Sequence, residues 1–199
     1  MVFIVLRHGQ SVWNKQNILA GWTNVPLSSL GKHEATEAGK ILKKYNFDYV
    51  FTSKLDRAIH TLEIMQKEFS YNFTINSNEA LNERHYGDLT GKNREDVQKI
   101  YTPEQVFQWR STYYGRPPNG ENLHDVKLRV GKYFDNNIHP LIQNKYDVLL
   151  VSHSNSLRAL FVHLNLKDEK NIEQFEITNC IPIQIDLYKK MFWYETETK

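Results

Sequence analysis

The sequence of 199 residues has a single cysteine, Cys180, and no long apolar run. One thiol can neither close an internal disulfide nor supply a zinc ribbon, so both kinds of stabilised small fold are excluded. The opening apolar stretch, 2–6, is much shorter than a signal-peptide core or the roughly 20 residues of a membrane-spanning helix. We therefore expect a cytoplasmic protein that has no membrane partner.

The chain also has little net charge. Its 25 basic and 23 acidic residues leave a formal charge of +2. Proteins that bind nucleic acid usually carry a strongly basic face, so no nucleic-acid partner is predicted. A non-enzymatic binding module that uses Trp109-Arg110 and Tyr113-Tyr114 is the alternative, and it would require salt-sensitive binding to oligonucleotides.

Several common catalytic motifs are absent. The sequence contains no P-loop, no G-x-G-x-x-G after a strand, no G-x-S-x-G and no H-E-x-x-H. These absences remove the nucleotide hydrolases, dinucleotide enzymes, serine hydrolases and zinc proteases that use those motifs. None of the eight histidines is paired at metal-ligand spacing, so no metal is predicted.

What the sequence does contain is an alternation of apolar strands with amphipathic helices. The strands are predicted at 2–6, 48–51, 73–75, 147–151, 182–187 and 191–194, and the helices at 30–45, 54–69, 93–100, 103–110, 121–134 and 155–164. Such alternation is typical of a mostly parallel sheet flanked by helices. We predict one three-layer α/β domain over residues 1–199, with 79–123 as an excursion over the active site.

Histidines follow two of the predicted buried strands directly. His8, with Arg7 before it, comes after the first strand, and His153 comes after the strand at 147–151. Arg57 lies in the opening turn of a helix, where anions are favoured. Two arginines and two imidazoles would form a pocket for a phosphoryl group, with one imidazole as nucleophile. Glu83 is the candidate acid or base.

Seven sequence blocks carry a resemblance to a known family. They are LRHGQSVWN (6–14), GW with LS and G (21–22, 27–28, 31), SKLDRAIHT (53–61), LNERHYGDLTG (81–91), WR (109–110), PPNGENL (117–123) and HSNSLRAL (153–160). In this order they resemble the histidine phosphatase superfamily and, within it, the cofactor-dependent phosphoglycerate mutases. The short link from Trp109 to Arg129 is similar to that of the compact members, which implies a monomer or small homo-oligomer.

The resemblance implies an activity and a role for each matching residue. The family interconverts 3-phosphoglycerate and 2-phosphoglycerate, small phosphorylated substrates of glycolysis, and is primed by 2,3-bisphosphoglycerate without a metal. His8 would be the phosphohistidine, Glu83 the proton donor and acceptor, and His153 a hydrogen-bond partner of the phosphoryl group. The other implied site residues are Arg7, Asn14 and Arg57 at the phosphoryl group and Gly21, Arg84, Tyr86, Arg94, Arg110, Ser154 and Asn155 around the substrate.

Some positions depart from the family pattern. Ala20 stands where Thr is usual, Arg94 where Lys is usual, and Ser154 where Gly is usual. Ser111 replaces the second arginine of W-R-R, and Arg116 is a candidate to compensate for it. Gln10 replaces a Glu. These departures fall on positions that hold the substrate, so a histidine phosphatase that hydrolyses a small phosphoester remains the alternative function.

Overall fold

The computed structural model describes residues 1–69 and 73–196, and the side chains of Arg110 and Ser111 lie outside the description. The strands are β1 (Phe3–Arg7), β2 (Tyr49–Thr52), β3 (Ile75–Ser77), β4 (Val148–Ser152), β5 (Ile183–Asp186) and β6 (Met191–Tyr194). They form one sheet in the order β3-β2-β4-β1-β5-β6. The four strands from β3 to β1 run parallel, whereas β5 is antiparallel to both β1 and β6.

Helices cover the sheet and the strand ends. They are α1 (Val12–Lys15), α2 (Ser29–Leu42), α3 (Asp56–Phe69), α4 (Arg94–Ile100), α5 (Pro103–Ser111), α6 (Leu123–Tyr133), α7 (His139–Gln143) and α8 (Ser154–His163). Side chains of Ser28, Thr102 and Asn122 cap the first turns of α2, α5 and α6, which explains where these helices begin. Among the described helices, none is long and apolar enough to cross a membrane.

The central strands β1 and β4 are buried on both faces, as their continuous apolar runs indicate. Side chains alternate along β1: Phe3 and Val5 pack in the core under α6 and α8, and Ile4 and Leu6 pack in the core under α2 and α3. This arrangement confirms the predicted three-layer α/β fold with a mostly parallel sheet.

One predicted strand is misplaced. The sequence predicts strand structure at 73–75, but β3 pairs with β2 through Ile75, Asn76 and Ser77. Phe73 packs against the core from outside this ladder. Its apolar character therefore reflects burial rather than strand pairing, and the prediction was wrong by two residues.

Three helix boundaries differ from the prediction by two residues or more. The helix predicted from residue 54 begins at Asp56, because the N–H groups of Lys54 and Leu55 bind the side chains of Asn82 and Ser53 instead. The helix predicted at 121–134 begins at Leu123, after its cap. The helix predicted at 30–45 ends at Leu42. Tyr45, the last residue of the predicted helix, belongs to the loop before β2.

The loop after β1 approaches α2 very closely at Gly9 and Gly31. A Cβ atom on Gly31 would overlap the main-chain oxygen of Gln10, and one on Gly9 would overlap the oxygen of Gly31. Both partners are main chain and cannot rotate away. The loop that carries His8 can reach its observed position only because Gly9 and Gly31 both lack a side chain.

We expect Gly31→Ala to lower the unfolding free energy by about 1–3 kcal/mol, the usual cost of overpacking. At an ordinary position inside a helix, the same change from glycine to alanine would instead raise the unfolding free energy by about 1 kcal/mol. Urea denaturation measures the difference, with exposed Lys32→Ala on the same helix as the control. A stabilised Gly31→Ala variant would contradict the close approach.

Candidate active site

The register of β1 and β4 brings two histidines together. Arg7 is the partner of Ser152 in the parallel ladder, and the N–H of His8 continues the ladder by donating to the oxygen of Ser152 at 3.0 Å. A histidine follows directly after the last residue of each strand. Because the two strands are parallel, both histidines lie at the same edge of the sheet. The ring centroids of His8 and His153 lie 4.9 Å apart, and both side chains are buried.

The surroundings of His8 define which ring nitrogen is free to react. Nδ1 lies 2.7 Å from the oxygen of Gly9, an acceptor, so Nδ1 carries the proton. Nε2 is then unprotonated and accepts a 3.3 Å hydrogen bond from Nε of Arg57. Burial, together with the charges of Arg57 and Arg7, holds the pKa of His8 well below its usual value. His8 is a neutral imidazole with a nucleophilic Nε2.

His153 has the same tautomer as His8, with the ring proton on Nδ1. Its Nε2 lies 2.7 Å from the hydroxyl of Ser53, whose oxygen also accepts the N–H of Leu55. Because the Ser53 hydroxyl has no other acceptor among the described residues, we assign its proton to the contact with Nε2, which leaves the ring proton of His153 on Nδ1. This buried Nδ1 has no hydrogen-bond partner among the described residues. A buried donor of this kind is ready for an anionic ligand.

Two arginines give the site its positive charge. Arg57, in the first turn of α3, is almost fully buried and donates Nη1 and Nη2 to the oxygens of Thr23 and Gly21. Arg7 donates Nη1 to the oxygen of Ile177, whereas its buried Nε has no partner among the described residues. Burial lowers the pKa of Arg57 to about 10, so the guanidinium remains charged at neutral pH.

Glu83 is the carboxylate of the site. Its Oε1 accepts the N–H of Arg84 at 2.7 Å and the N–H of Asn155, in the first turn of α8, at 3.2 Å. Its Oε2 makes no hydrogen bond to any of the described residues. Asn155 also donates Nδ2 to the hydroxyl of Tyr86 at 2.9 Å. Burial and the nearby Glu83 raise the pKa of Tyr86 and keep it protonated.

Asn14 is oriented by the cap of α1. Its Oδ1 accepts both the N–H and the hydroxyl of Ser11. The Nδ2 donors are consequently left to face the cavity that Asn14 lines. Gly21 lines the same cavity with a φ of +49°, a conformation that favours glycine, and this turn is what presents its oxygen to Arg57.

These groups open into one cavity of about 1120 Å³. Of the predicted site residues, the cavity is lined by Arg7, His8, Asn14, Gly21, Arg57, Glu83, Arg84, Tyr86, Arg94, Ser154 and Asn155. His153, whose ring lies 4.9 Å from that of His8, is not among the lining residues. The side chain of Arg110 lies outside the described residues. Arg84 is held by the oxygens of Trp109, Gly115 and Glu121, so its position is fixed before any ligand binds.

The segment 170–177 forms one wall that the sequence analysis did not predict. Lys170, Asn171, Gln174 and Glu176 line the cavity there, next to Arg158 from α8. No motif in this segment signalled the site, because its position depends on a short 3-10 turn at Ile172–Gln174. Arg116, proposed to compensate for Ser111, is paired with Asp125 and does not line the cavity.

Metal-ligating side chains are not clustered in the described part of the chain. No group of three or more His, Cys, Asp or Glu residues could hold an ion there. The donors that converge on His8 are guanidinium, imidazole and amide groups. Such donors bind phosphate and carboxylate groups.

Comparison with known proteins agrees with this geometry. The family model of the histidine phosphatase superfamily (branch 1) matches residues 3–196. A 2,3-bisphosphoglycerate-dependent phosphoglycerate mutase of Cytophaga hutchinsonii is 41% identical over 96% of this chain and 89% of its own length. The protein of the same name from Bartonella bacilliformis is 42% identical over 90% and 89%. A mycobacterial glucosyl-3-phosphoglycerate phosphatase, solved with VO3, superposes with a TM-score of 0.79 at 25% identity, covering 93% and 92%.

The two buried histidines should make stability depend on pH. The pKa values of His8 and His153 lie well below 6.5 in the folded protein because of burial and the charges of Arg7, Arg57 and, for His153, Arg129. As the pH falls below about 6.5, the unfolded chain therefore binds protons that the folded chain does not. We expect the unfolding free energy to fall by up to ~1.4 kcal/mol per pH unit for each histidine.

His8→Gln should remove one of these contributions and give a shallower decline in acid. Urea denaturation across a pH series above and below about 6.5 measures it. Identical slopes for wild type and His8→Gln would contradict a neutral, buried His8.

Proposed function

The chain belongs to the histidine phosphatase superfamily, and we propose that it is a 2,3-bisphosphoglycerate-dependent phosphoglycerate mutase of glycolysis. The observation that carries this proposal is the shared cavity. It holds a neutral His8 whose Nε2 is unprotonated, the charged Arg57 that donates to that nitrogen, and the carboxylate of Glu83. Curated relatives with that name at 41% and 42% identity support the substrate.

In the priming step, and again in the second half of each turnover, His8 accepts a phosphoryl group from a glycerate that carries two. Nε2 attacks phosphorus, an N–P bond forms, and the bond from phosphorus to the substrate oxygen breaks. Glu83 donates a proton to the departing oxygen, which leaves as a hydroxyl. Arg7 and Arg57 neutralise the charge on the phosphoryl oxygens, which is the main requirement of such transfers.

In the first half of each turnover, phosphorylated His8 gives its phosphoryl group to the free hydroxyl of the bound monophosphoglycerate, which then carries two. Glu83, now deprotonated, accepts the proton of that hydroxyl while its oxygen attacks phosphorus and the N–P bond breaks. His153 donates Nδ1–H to the phosphoryl oxygens, and the Ser53 contact keeps the proton on that nitrogen. No net proton or phosphate is released, so the reaction is an isomerisation.

The residues present fit 2,3-bisphosphoglycerate as the priming ligand. The buried Nδ1 of His153 and Nε of Arg7 have no partners among the described residues and are both donors, as an anion requires. We assign the phosphoryl group to Arg7, Asn14, Arg57 and His153. The rest of the ligand is assigned to Gly21, Arg84, Tyr86, Arg94, Arg110, Ser154 and Asn155. When bound, 2,3-bisphosphoglycerate supplies the phosphoryl group that primes His8.

Hydrolysis is the second candidate function, and the size of the cavity favours it. A cavity of about 1120 Å³ leaves room for water beside a three-carbon ligand. Water that reaches the phosphoryl group on His8 would release phosphate. Under either function the substrate is a small phosphorylated molecule, and we expect the enzyme in the cytoplasm as a monomer or small homo-oligomer.

A coupled assay with 3-phosphoglycerate, with phosphate release followed in the same sample, separates the two functions. We expect isomerisation to 2-phosphoglycerate that 2,3-bisphosphoglycerate stimulates, with little phosphate released. Phosphate release without isomerisation would show that the protein is a phosphatase and not a mutase. The first residues to change to the family's usual Thr, Arg and Gly would then be Ala20, Ser111 and Ser154.

His8→Ala should abolish both turnover and labelling of the protein by 2,3-bisphosphoglycerate, because no Nε2 remains to form the N–P bond. Acid-labile protein phosphate measures the labelling directly. Exposed His60 on α3 does not line the cavity, so His60→Ala is the matched control and should be labelled normally. Acid-labile phosphate on the His8→Ala variant would contradict the role given to His8.

A further inference from the structure

Arg129 lies on α6, outside the cavity, yet it binds the main chain of the loop that carries Glu83. Nη1 donates to the oxygens of Ala80 and Asn82, both at 2.8 Å, and Nη2 donates to the oxygen of Glu83 at 3.0 Å. The guanidinium also lies over the ring of Trp22, 5.7 Å from its centroid. Trp22 in turn donates its indole N–H to the oxygen of Glu83.

Glu121 completes this arrangement from the other side. Its carboxylate accepts Nε of Arg129 at 2.8 Å and Nη2 at 2.9 Å, and it also accepts the N–H of His85 at 2.8 Å. The main chain of Glu121 binds the same loop again, donating to the oxygen of His85 and accepting Nε of Arg84. The residues before and after Glu83 are therefore both held.

The geometry uses the full donor set of an arginine. A guanidinium has five N–H donors, and each has a partner in the five hydrogen bonds of Arg129. The pair is mostly buried, with side-chain exposures of 18% for Arg129 and 19% for Glu121. A lysine has three donors and no planar fork, so it could not make these contacts together.

We infer that Arg129 and Glu121 are positioning residues that hold Glu83 in place for proton transfer. Neither touches the cavity, and both act through the main chain at 80–85. The consequence is specific, because Oε2 of Glu83 must meet a substrate oxygen, and a displacement of about 1 Å at a reacting group can cost 100-fold in rate. This inference rests on the role of Glu83 in the proposed function.

A comparison of two phosphoryl donors tests the inference. With 2,3-bisphosphoglycerate the leaving group is an alkoxide that needs the proton of Glu83. With 4-nitrophenyl phosphate the leaving group is a stable phenolate that needs none. The readouts are the rate of acid-labile phosphate formation on His8 for the first donor and the initial burst of 4-nitrophenolate for the second.

Arg129→Gln should slow phosphorylation by 2,3-bisphosphoglycerate about 10- to 100-fold, but slow the 4-nitrophenolate burst less than about 3-fold. Glu83→Gln should show the same selectivity more strongly, and the double variant should be no slower than Glu83→Gln alone. Arg129→Lys keeps the positive charge and Glu121→Gln keeps an acceptor oxygen. Both should slow phosphorylation by 2,3-bisphosphoglycerate more than the 4-nitrophenolate burst, but by a smaller factor than Arg129→Gln. They test the inference if Arg129→Gln does not fold.

Arg116→Gln is the matched control. It removes another arginine–carboxylate pair, that with Asp125 at 2.7 Å on the same helix, without a contact to the Glu83 loop. It should leave both rates unchanged. Equal losses with the two donors in the Arg129 variants would mean a merely structural role and overturn the inference.

The design also separates this inference from the proposed function. If wild type is not phosphorylated by either donor, or Glu83→Gln loses both donors equally, the proposed function fails. If Glu83→Gln is selective and the Arg129 and Glu121 variants are not, the proposed function stands and the positioning role is wrong.

Discussion

Parallel pairing of β1 with β4 sets Arg7 opposite Ser152, and the distances in the site follow from that register. The residue after each partner is a histidine, so a shift of one residue would place one imidazole in the sheet and the other beyond it. The pairing of β2 with β4 then places Ser53 beside His153 and starts α3 where Arg57 reaches His8. Three adjacent strand ends thus bring together two imidazoles, a guanidinium and a hydroxyl.

The charge balance of this site is unfavourable until an anion is present. Arg57, which is buried, and Arg7, which is half-buried, lie next to imidazoles that burial keeps neutral, and Glu83 is one of the carboxylates that line the cavity. Buried charge that lacks a partner costs stability. The fold offsets this cost by giving Arg57 the oxygens of Thr23 and Gly21. A doubly charged phosphoryl group would remove the remaining imbalance, so the same electrostatics that weakens the empty protein favours its ligand.

The sequence predicted the parts of the site that follow strands and missed those that depend on distant main chain. His8 and His153 could be predicted because apolar runs identify buried strands, and parallel strands end at one edge. Arg129 could not, because its partners are main-chain oxygens 46 to 49 residues earlier, and a carbonyl has no sequence signature. The predicted start of α3 was wrong for a similar reason, because the N–H of Lys54 donates to the side chain of the distant Asn82.

The arginines in and around the site differ in how many of their donors are already bound within the protein. This difference bears on the choice between isomerisation and hydrolysis. Arg84 donates Nε and Nη2 to main-chain oxygens, and Arg129 donates to the Glu121 carboxylate and to main-chain oxygens of the loop that carries Glu83. Arg158 donates to the oxygen of Phe175 and faces Glu173, so much of its charge is neutralised. Because the cavity is wide, an alcohol can displace water from the phosphoryl group only if cations hold the substrate in place. Under the proposed function that task rests on further cations that line the cavity, among them Arg84, Arg94 and Lys170. Selectivity against water is therefore a matter of substrate retention, since the groups that transfer the phosphoryl are the same in both reactions.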